Sequence, residues 1–274
     1  MTLPSKFFVP RQSCSPDFRV SLNFRKMSGK EMETMLLENF KSSHSTRHMP
    51  KLKIKSLRNA ALNVIMLTRD EMMRLNASDG DAECRKVKSK KLSSLSVKWF
   101  RMCKIMLELN LSVLQLKVDE SVDDLNGDQG AMKQHVDMII AHILSFRSAI
   151  LSYESVTQLG TECMKTGKMF YMQDDHINAL FWFQAAVKFH KIVLRNKLDV
   201  GVAKNDSQFW TCYDYLADSQ RQLDLKSDAY NTVAEGLLLN ASSVKQASWR
   251  WLKITLDVID AGKQPKYFTL ASKL

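Results

Sequence analysis

The chain has 274 residues, 45% hydrophobic and 25% charged, with a formal net charge of +11. That much apolar content over that length excludes disorder throughout and sustains one sizeable core or a run of stacked helical units. Nine Gly and five Pro are set against abundant Leu, Met, Lys and Ala, a helix-favouring composition that makes the fold class all-α.

In chain order, residues 1–27 mix Pro, Ser and Arg with isolated aromatics without a sustained period and form an extended or docking arm. Ser28-Gly29-Lys30-Glu31 is a capping-box signature, and Met32, Met35, Leu36 and Phe40 follow at helical spacing until Ser42 to Pro50 breaks the pattern. Leu57, Ala60, Ala61, Val64, Ile65 and Thr68 line a helix running to about Leu75, after which the polar stretch from Asn76 to Lys91 reads as a loop. The longest pattern covers Leu92 to about Val118, with Leu95, Trp99, Met102, Cys103, Met106, Leu109, Val113 and Leu116 on one broad stripe. Asp119 to Gly130 is acidic and turn-rich. Helix resumes from Met132 to about Tyr153 through Val136, Ile139, Ile140, Ile143, Leu144 and Ile150. Residues 28–154 are thus an N-terminal helical region, and residues 155–274 a second region of repeats with a C-terminal cap and tail.

Within that second region, Gly167, Phe170, Ala179, Phe183 and Ala186 stand at the offsets of a tetratricopeptide (TPR) helix–turn–helix. A small residue at Gly167 lets the second helix approach the first, with Ala179 across the crossing, while Phe170, Phe183 and Ala186 face the seam. The first helix ends at about Tyr171, Gln173-Asp174-Asp175 forms the turn, and the second helix runs from His176 to about Leu194. A second copy places Tyr213, Leu216, Ala217, Ala229, Val233 and Gly236 equivalently, over roughly 208–223 and 227–240. Gly167 and Ala217 lie 50 positions apart. Unmodified TPR units recur at about 34, so residues 195–207 read as an insertion. Ser248-Trp249-Arg250-Trp251 through Ile259 forms either a third hairpin's first helix or a cap. The expected architecture is therefore antiparallel helical hairpins stacked as a TPR-like α-solenoid.

Signatures of catalysis are sparse. Phosphate loop, dinucleotide glycine motif, nucleophile elbow and paired-His zinc helix are all missing, which points away from an enzyme and implies no cofactor. Cys14, Cys84, Cys103, Cys163 and Cys212 are scattered and form no Cys-x-x-Cys pair, as befits reduced thiols in helical cores. His44 and His48 lack a third ligand. Asp124, Asn126 and Asp128 imitate half a calcium loop whose sixth and twelfth places hold Gln129 and His135 instead of Gly and Glu. In Asp174-Asp175-His176, Asp175 reads as a helix cap. Trp182, Trp210, Trp249 and Trp251 read as core aromatics before they read as base-stacking faces.

The positive charge admits either an acidic protein segment or a nucleic acid, without selecting between them. Basic residues cluster at Lys51, Lys53, Lys55 and Arg58, and again at Arg85, Lys86, Lys88, Lys90 and Lys91. The second cluster reads either as a solvated charge run or as a nuclear import signal in the expected loop. No stretch has the roughly 18–20 apolar residues of a membrane span, and residues 1–30 lack the layout of a secretory signal, so a soluble intracellular protein without membrane contact is expected. Ser272-Lys273-Leu274 matches the peroxisomal address, or is a tail that happens to end this way.

Lys165-Thr166-Gly167-Lys168-Met169-Phe170, followed by Ala179-Leu180-Phe181-Trp182-Phe183-Gln184-Ala185-Ala186, resembles the TPR-like repeats of the Zip/Spo-type meiotic crossover family, which includes a mammalian testis-expressed member and plant counterparts. Upstream, Leu57-Arg58-Asn59-Ala60-Ala61 is similar to that family's Leu-Trp-Asn helix, with Arg58 in place of Trp. Trp210 to Gly262 also looks similar to the α-solenoid of separase. The first resemblance implies a nuclear, chromosome-associated scaffold that gathers crossover-promoting proteins in meiosis and has no catalysis of its own. A peroxisomal matrix protein is the alternative that Ser272-Lys273-Leu274 suggests.

Overall fold

A computed structural model describes residues 29–42, 51–77, 82–117, 125–146, 151–196, 198 and 207–239. Regular structure among them is entirely helical: α1 (Gly29–Ser42), α2 (Lys51–Ala77), α3 (Ala82–Lys117), α4 (Leu125–Ser145), α5 (Tyr153–Tyr171), α6 (His176–Arg195), α7 (Ser207–Gln222) and α8 (Lys226–Leu239). All but α4 pack chiefly on a chain neighbour. α1 lies on α2 and α2 on α3; α5 pairs with α6, α6 with α7, and α7 with α8. α3 also packs against α5, and α4 touches α6 and α3. The buried apolar residues form one continuous cluster from Leu36 in α1 to Val233 in α8.

Periodicity explains the faces. On α2 the buried residues are Ile54, Leu57, Ala60, Ala61, Val64, Ile65, Thr68 and Met72, a stripe at three- and four-residue spacing. On α3 Trp99, Met102, Cys103, Met106 and Leu109 are fully enclosed. Trp99 meets Phe146, just beyond α4, edge to face with centroids 5.0 Å apart, a favoured quadrupolar geometry.

Several expected boundaries move. The stretch read as a loop from Asn76 to Lys91 is helical at both ends, since α2 continues to Ala77 and α3 begins at Ala82. Its polar residues mislead because Ala, Glu, Arg and Lys are strong helix formers that need no buried partner on an exposed end. The acidic turn expected up to Gly130 is likewise shortened: α4 starts at Leu125, so Asn126 and Asp128 belong to a helix and not to a loop of oxygen ligands. At its other end α4 stops at Ser145 and does not reach Tyr153. There the Ser145 hydroxyl donates to the His142 carbonyl at 2.7 Å, and α5 opens behind its own cap, with Ser152 Oγ accepting from the Ser155 amide at 3.1 Å. The capping box at Ser28, the His44/His48 pair, Asp124, the segment from Ser248 to Ile259 and the terminal tripeptide lie outside the described residues.

Candidate interaction site

The same turn is built twice. At the end of α5 the Asp175 amide donates to the Phe170 carbonyl at 3.0 Å and the Asp174 amide to the Tyr171 carbonyl at 3.2 Å. At the end of α7 the Leu225 amide donates to the Gln220 carbonyl at 2.8 Å and the Asp224 amide to the Arg221 carbonyl at 3.0 Å. This pair of bonds is the Schellman closure, which requires a left-handed residue. Asp174 (φ 57°) and Asp224 (φ 58°) supply it, and they are the only non-glycine residues with positive φ among those described. The next helix then starts identically, with Ala179 donating to Asp175 and Ala229 to Leu225, both at 3.0 Å. Every residue of the second turn is 50 positions beyond its counterpart. In the first, Asp175 Oδ1 also accepts from the Asn178 amide at 3.1 Å, the cap its position predicts.

Of the residues expected to pack the repeats, Phe170, Ala179, Phe183, Ala186, Leu216, Ala217 and Ala229 are all buried, as is Gly167. It is the Phe183 ring that fills the space over Gly167: its Cδ1 and Cε1 would lie 2.8 Å from any Cβ added there, and Ala179 is not among the three nearest groups. One feature absent from the sequence reading is Gly160, two helical turns earlier, whose added Cβ would meet Phe189 Cβ at 3.3 Å and the Ala186 carbonyl at 3.6 Å. Gly160 and Gly167 share one face of α5, so the seven-residue spacing was a usable signal.

Above this contact the seam between α5, α6 and α7 is aromatic. The Phe183 ring stacks on Tyr215 at 5.3 Å with an interplanar angle of 13°, and Tyr171 meets Tyr215 edge to face at 4.9 Å and His176 at 5.3 Å. Lys168 Nζ lies 5.2 Å from the Tyr215 ring centre. The Tyr171 hydroxyl donates across the seam to Asp218 Oδ2, and Arg221 donates to Oδ1 of the same carboxylate through Nε (3.1 Å) and a terminal nitrogen (2.9 Å). A buried carboxylate is tolerated here because it is both paired and hydrogen-bonded. Tyr171, Tyr215, Asp218 and Arg221 carried no sequence motif; only their contacts mark them. Beside the seam, the hairpin ends expose Met172 and Ile177 at the first turn and Leu225 at the second.

The basic run, expected in a loop, lies instead on the first three turns of α3, where Lys86, Lys90 and Lys91 are exposed and Lys88 half-buried; the Arg85 side chain lies outside the described residues. Helix-forming lysines continue the rod beyond its buried stripe. Trp182 is buried, whereas the side chains of Trp210, Trp249 and Trp251 fall outside the described residues. Arg58, read as part of the first basic cluster, is buried at 7% exposure.

Cys103, Cys163 and Cys212 are free and buried, and burial pushes the Cys103 and Cys163 thiols well above their ordinary range, away from the nucleophilic thiolate. Burial likewise raises the Tyr213 phenol, helped by Glu235. Among the described residues no group of three His, Cys, Asp or Glu side chains could hold a metal ion, and no helix is long and apolar enough to cross a membrane.

No family model, curated protein or solved structure matches the chain.

Proposed function

We propose that this chain is a non-catalytic protein-interaction scaffold whose hairpins stack as a TPR-like α-solenoid. The observation that carries this reading is the recurrence, 50 residues apart, of one turn with the same hydrogen bonds and the same left-handed aspartate. A supersecondary unit that repeats its turn is suited to stacking, and stacked hairpins offer a continuous face to a partner's extended segment or helix. Lys168 beside the Tyr215 ring supplies a cation for acidic groups on that partner. The setting is the one implied by the likeness to the Zip/Spo-type family: the nucleus, on meiotic chromosomes, gathering crossover-promoting proteins.

Imaging and co-precipitation of the N-terminally tagged chain in meiotic cells test this reading. Foci along chromosomes, with crossover proteins recovered from wild type and lost with Lys168→Glu, are expected. Puncta outside the nucleus that disperse when Leu274 is deleted would replace this reading with the peroxisomal one. Turnover of a metabolite by the purified chain would end the non-catalytic one.

A further inference from the structure

The solvent face of α3 carries a row of cations along its length. Stepping at about 100° per residue, Lys86, Lys90, Ser93, Ser94, Val97, Arg101 and Lys104 fall within one third of the helix circumference. All are exposed except Lys104, which is half-buried. Opposite them, Trp99, Met102, Cys103, Met106 and Leu109 are enclosed in the core, so the row is anchored on a helix that cannot rotate without opening the interior. From Lys86 to Lys104 the rise is about 27 Å, at about 1.5 Å per residue. Neighbouring acidic side chains engage the flanks: Glu71 takes Lys91 at 2.8 Å and Glu33 takes Lys98 at 2.7 Å, while Glu108 sits 3.8 Å from Lys104 at the far end. Among the described residues no carboxylate pairs with Lys86, Lys90 or Arg101.

We infer that this face of α3 binds the phosphate backbone of a nucleic acid, without reading its sequence. Three observations favour phosphates over an acidic protein. The row is rigid and about 27 Å long, the axial length of about eight base pairs of duplex at about 3.4 Å each. Its uncharged members at Ser93 and Ser94 are hydroxyl donors of the kind that contact phosphate oxygens. Its exposed apolar member Val97 and the neighbouring Val87 are ten positions apart and offer no contiguous patch for a protein partner.

The test is fluorescence anisotropy of a labelled duplex of about 20 base pairs with the full chain, titrated over salt. Two unrelated duplex sequences are expected to bind equally. The triple variant Lys86→Gln/Lys90→Gln/Arg101→Gln is expected to bind at least about tenfold more weakly at low salt and to flatten the log–log salt slope by about 2.7, at about 0.9 per phosphate contact. A control of equal charge change, Lys188→Gln/Lys191→Gln/Lys226→Gln, is expected to stay within about twofold, because contacts and not net charge set the slope. As a second probe, Val97→Glu places one anion in the middle of the row and must weaken binding too, with helix content checked by circular dichroism. Equal loss in the triple variant and the control, an unchanged slope, or absence of duplex binding would each overturn the inference. So would polyglutamate bound as tightly as duplex and lost with the same triple variant, which would make this an acidic-protein surface.

Discussion

The Phe183 ring occupies the place that a methyl group on Gly167 would need, since a Cβ there would lie 2.8 Å from both Cδ1 and Cε1. The ring cannot swing aside cheaply, because it is stacked on Tyr215 and flanked by Tyr171. Gly167→Ala is therefore expected to destabilise the fold, by about 1–3 kcal/mol of overpacking less the gain of about 1 kcal/mol from a better helix former. Gly160→Ala, whose methyl would meet its neighbours at 3.3 and 3.6 Å, should cost less or nothing. Urea denaturation of both variants checks the order. Phe183→Leu in the Gly167→Ala background should recover part of the loss, and strict additivity of the two changes would show that they do not touch.

Asp174 and Asp224 hold left-handed backbone that costs an L-residue about 1–2 kcal/mol, less for Asp than for most. Asp174→Gly and Asp224→Gly should each raise the melting temperature, by up to about 1 kcal/mol of stability, and Ala at either site should lower it. If only one site responded, the two turns would not be energetic equivalents.

These turns also show why the fold was more legible than the site. Helix existence followed from apolar period: the stripe through Trp99, Met106 and Leu109 is buried as read, and the hairpin from Tyr153 to Arg195 lies within two residues of its expected bounds. Period is a property of one segment and survives without knowledge of its neighbours. Polarity proved a poor guide at Ala82 to Lys91, where an exposed helical end has the composition of a loop. The pairing of Gly167 with Phe183, and of Tyr171 with Asp218, depends on how two or three rods cross, which no local spacing encodes.

Asp218 is the most exacting polar group of the seam, with a side chain 5% exposed and its two oxygens taken by Tyr171 and Arg221. Asp218→Ala leaves the largely buried Arg221 without its carboxylate and is expected to cost about 3 kcal/mol. Tyr171→Phe removes one charge-assisted bond and should cost about 1.5–3 kcal/mol. The double variant should fall short of the sum by about 1 kcal/mol or more, as directly bonded residues do. Additivity within about 0.5 kcal/mol would mean that the hydroxyl and carboxylate do not bond in solution.

The pH dependence separates the two histidines of α4 from Glu108 of α3 by sign. Burial, reinforced by Arg69 and partly offset by Asp70, lowers His142 below its ordinary 6.5, and burial with Arg58 lowers His135 in the same way. Between the lowered value and 6.5 the unfolded chain holds more protons than the folded one, so stability rises with pH through that window. Their contribution is complete above 6.5 and is lost as pH falls toward the folded values. Glu108 runs the other way. Burial first, then the nearby Glu162, raises it above 4.5 against the opposing pull of Lys104 and Lys165. Here the folded chain holds the extra proton, and stability falls as pH rises through the raised value. Denaturation followed across the acidic range should show a rising stability that His142→Gln flattens and Glu108→Gln steepens. Were both substitutions to shift the slope in the same direction, one of the two groups would sit in a different environment from the one seen between α3 and its neighbours.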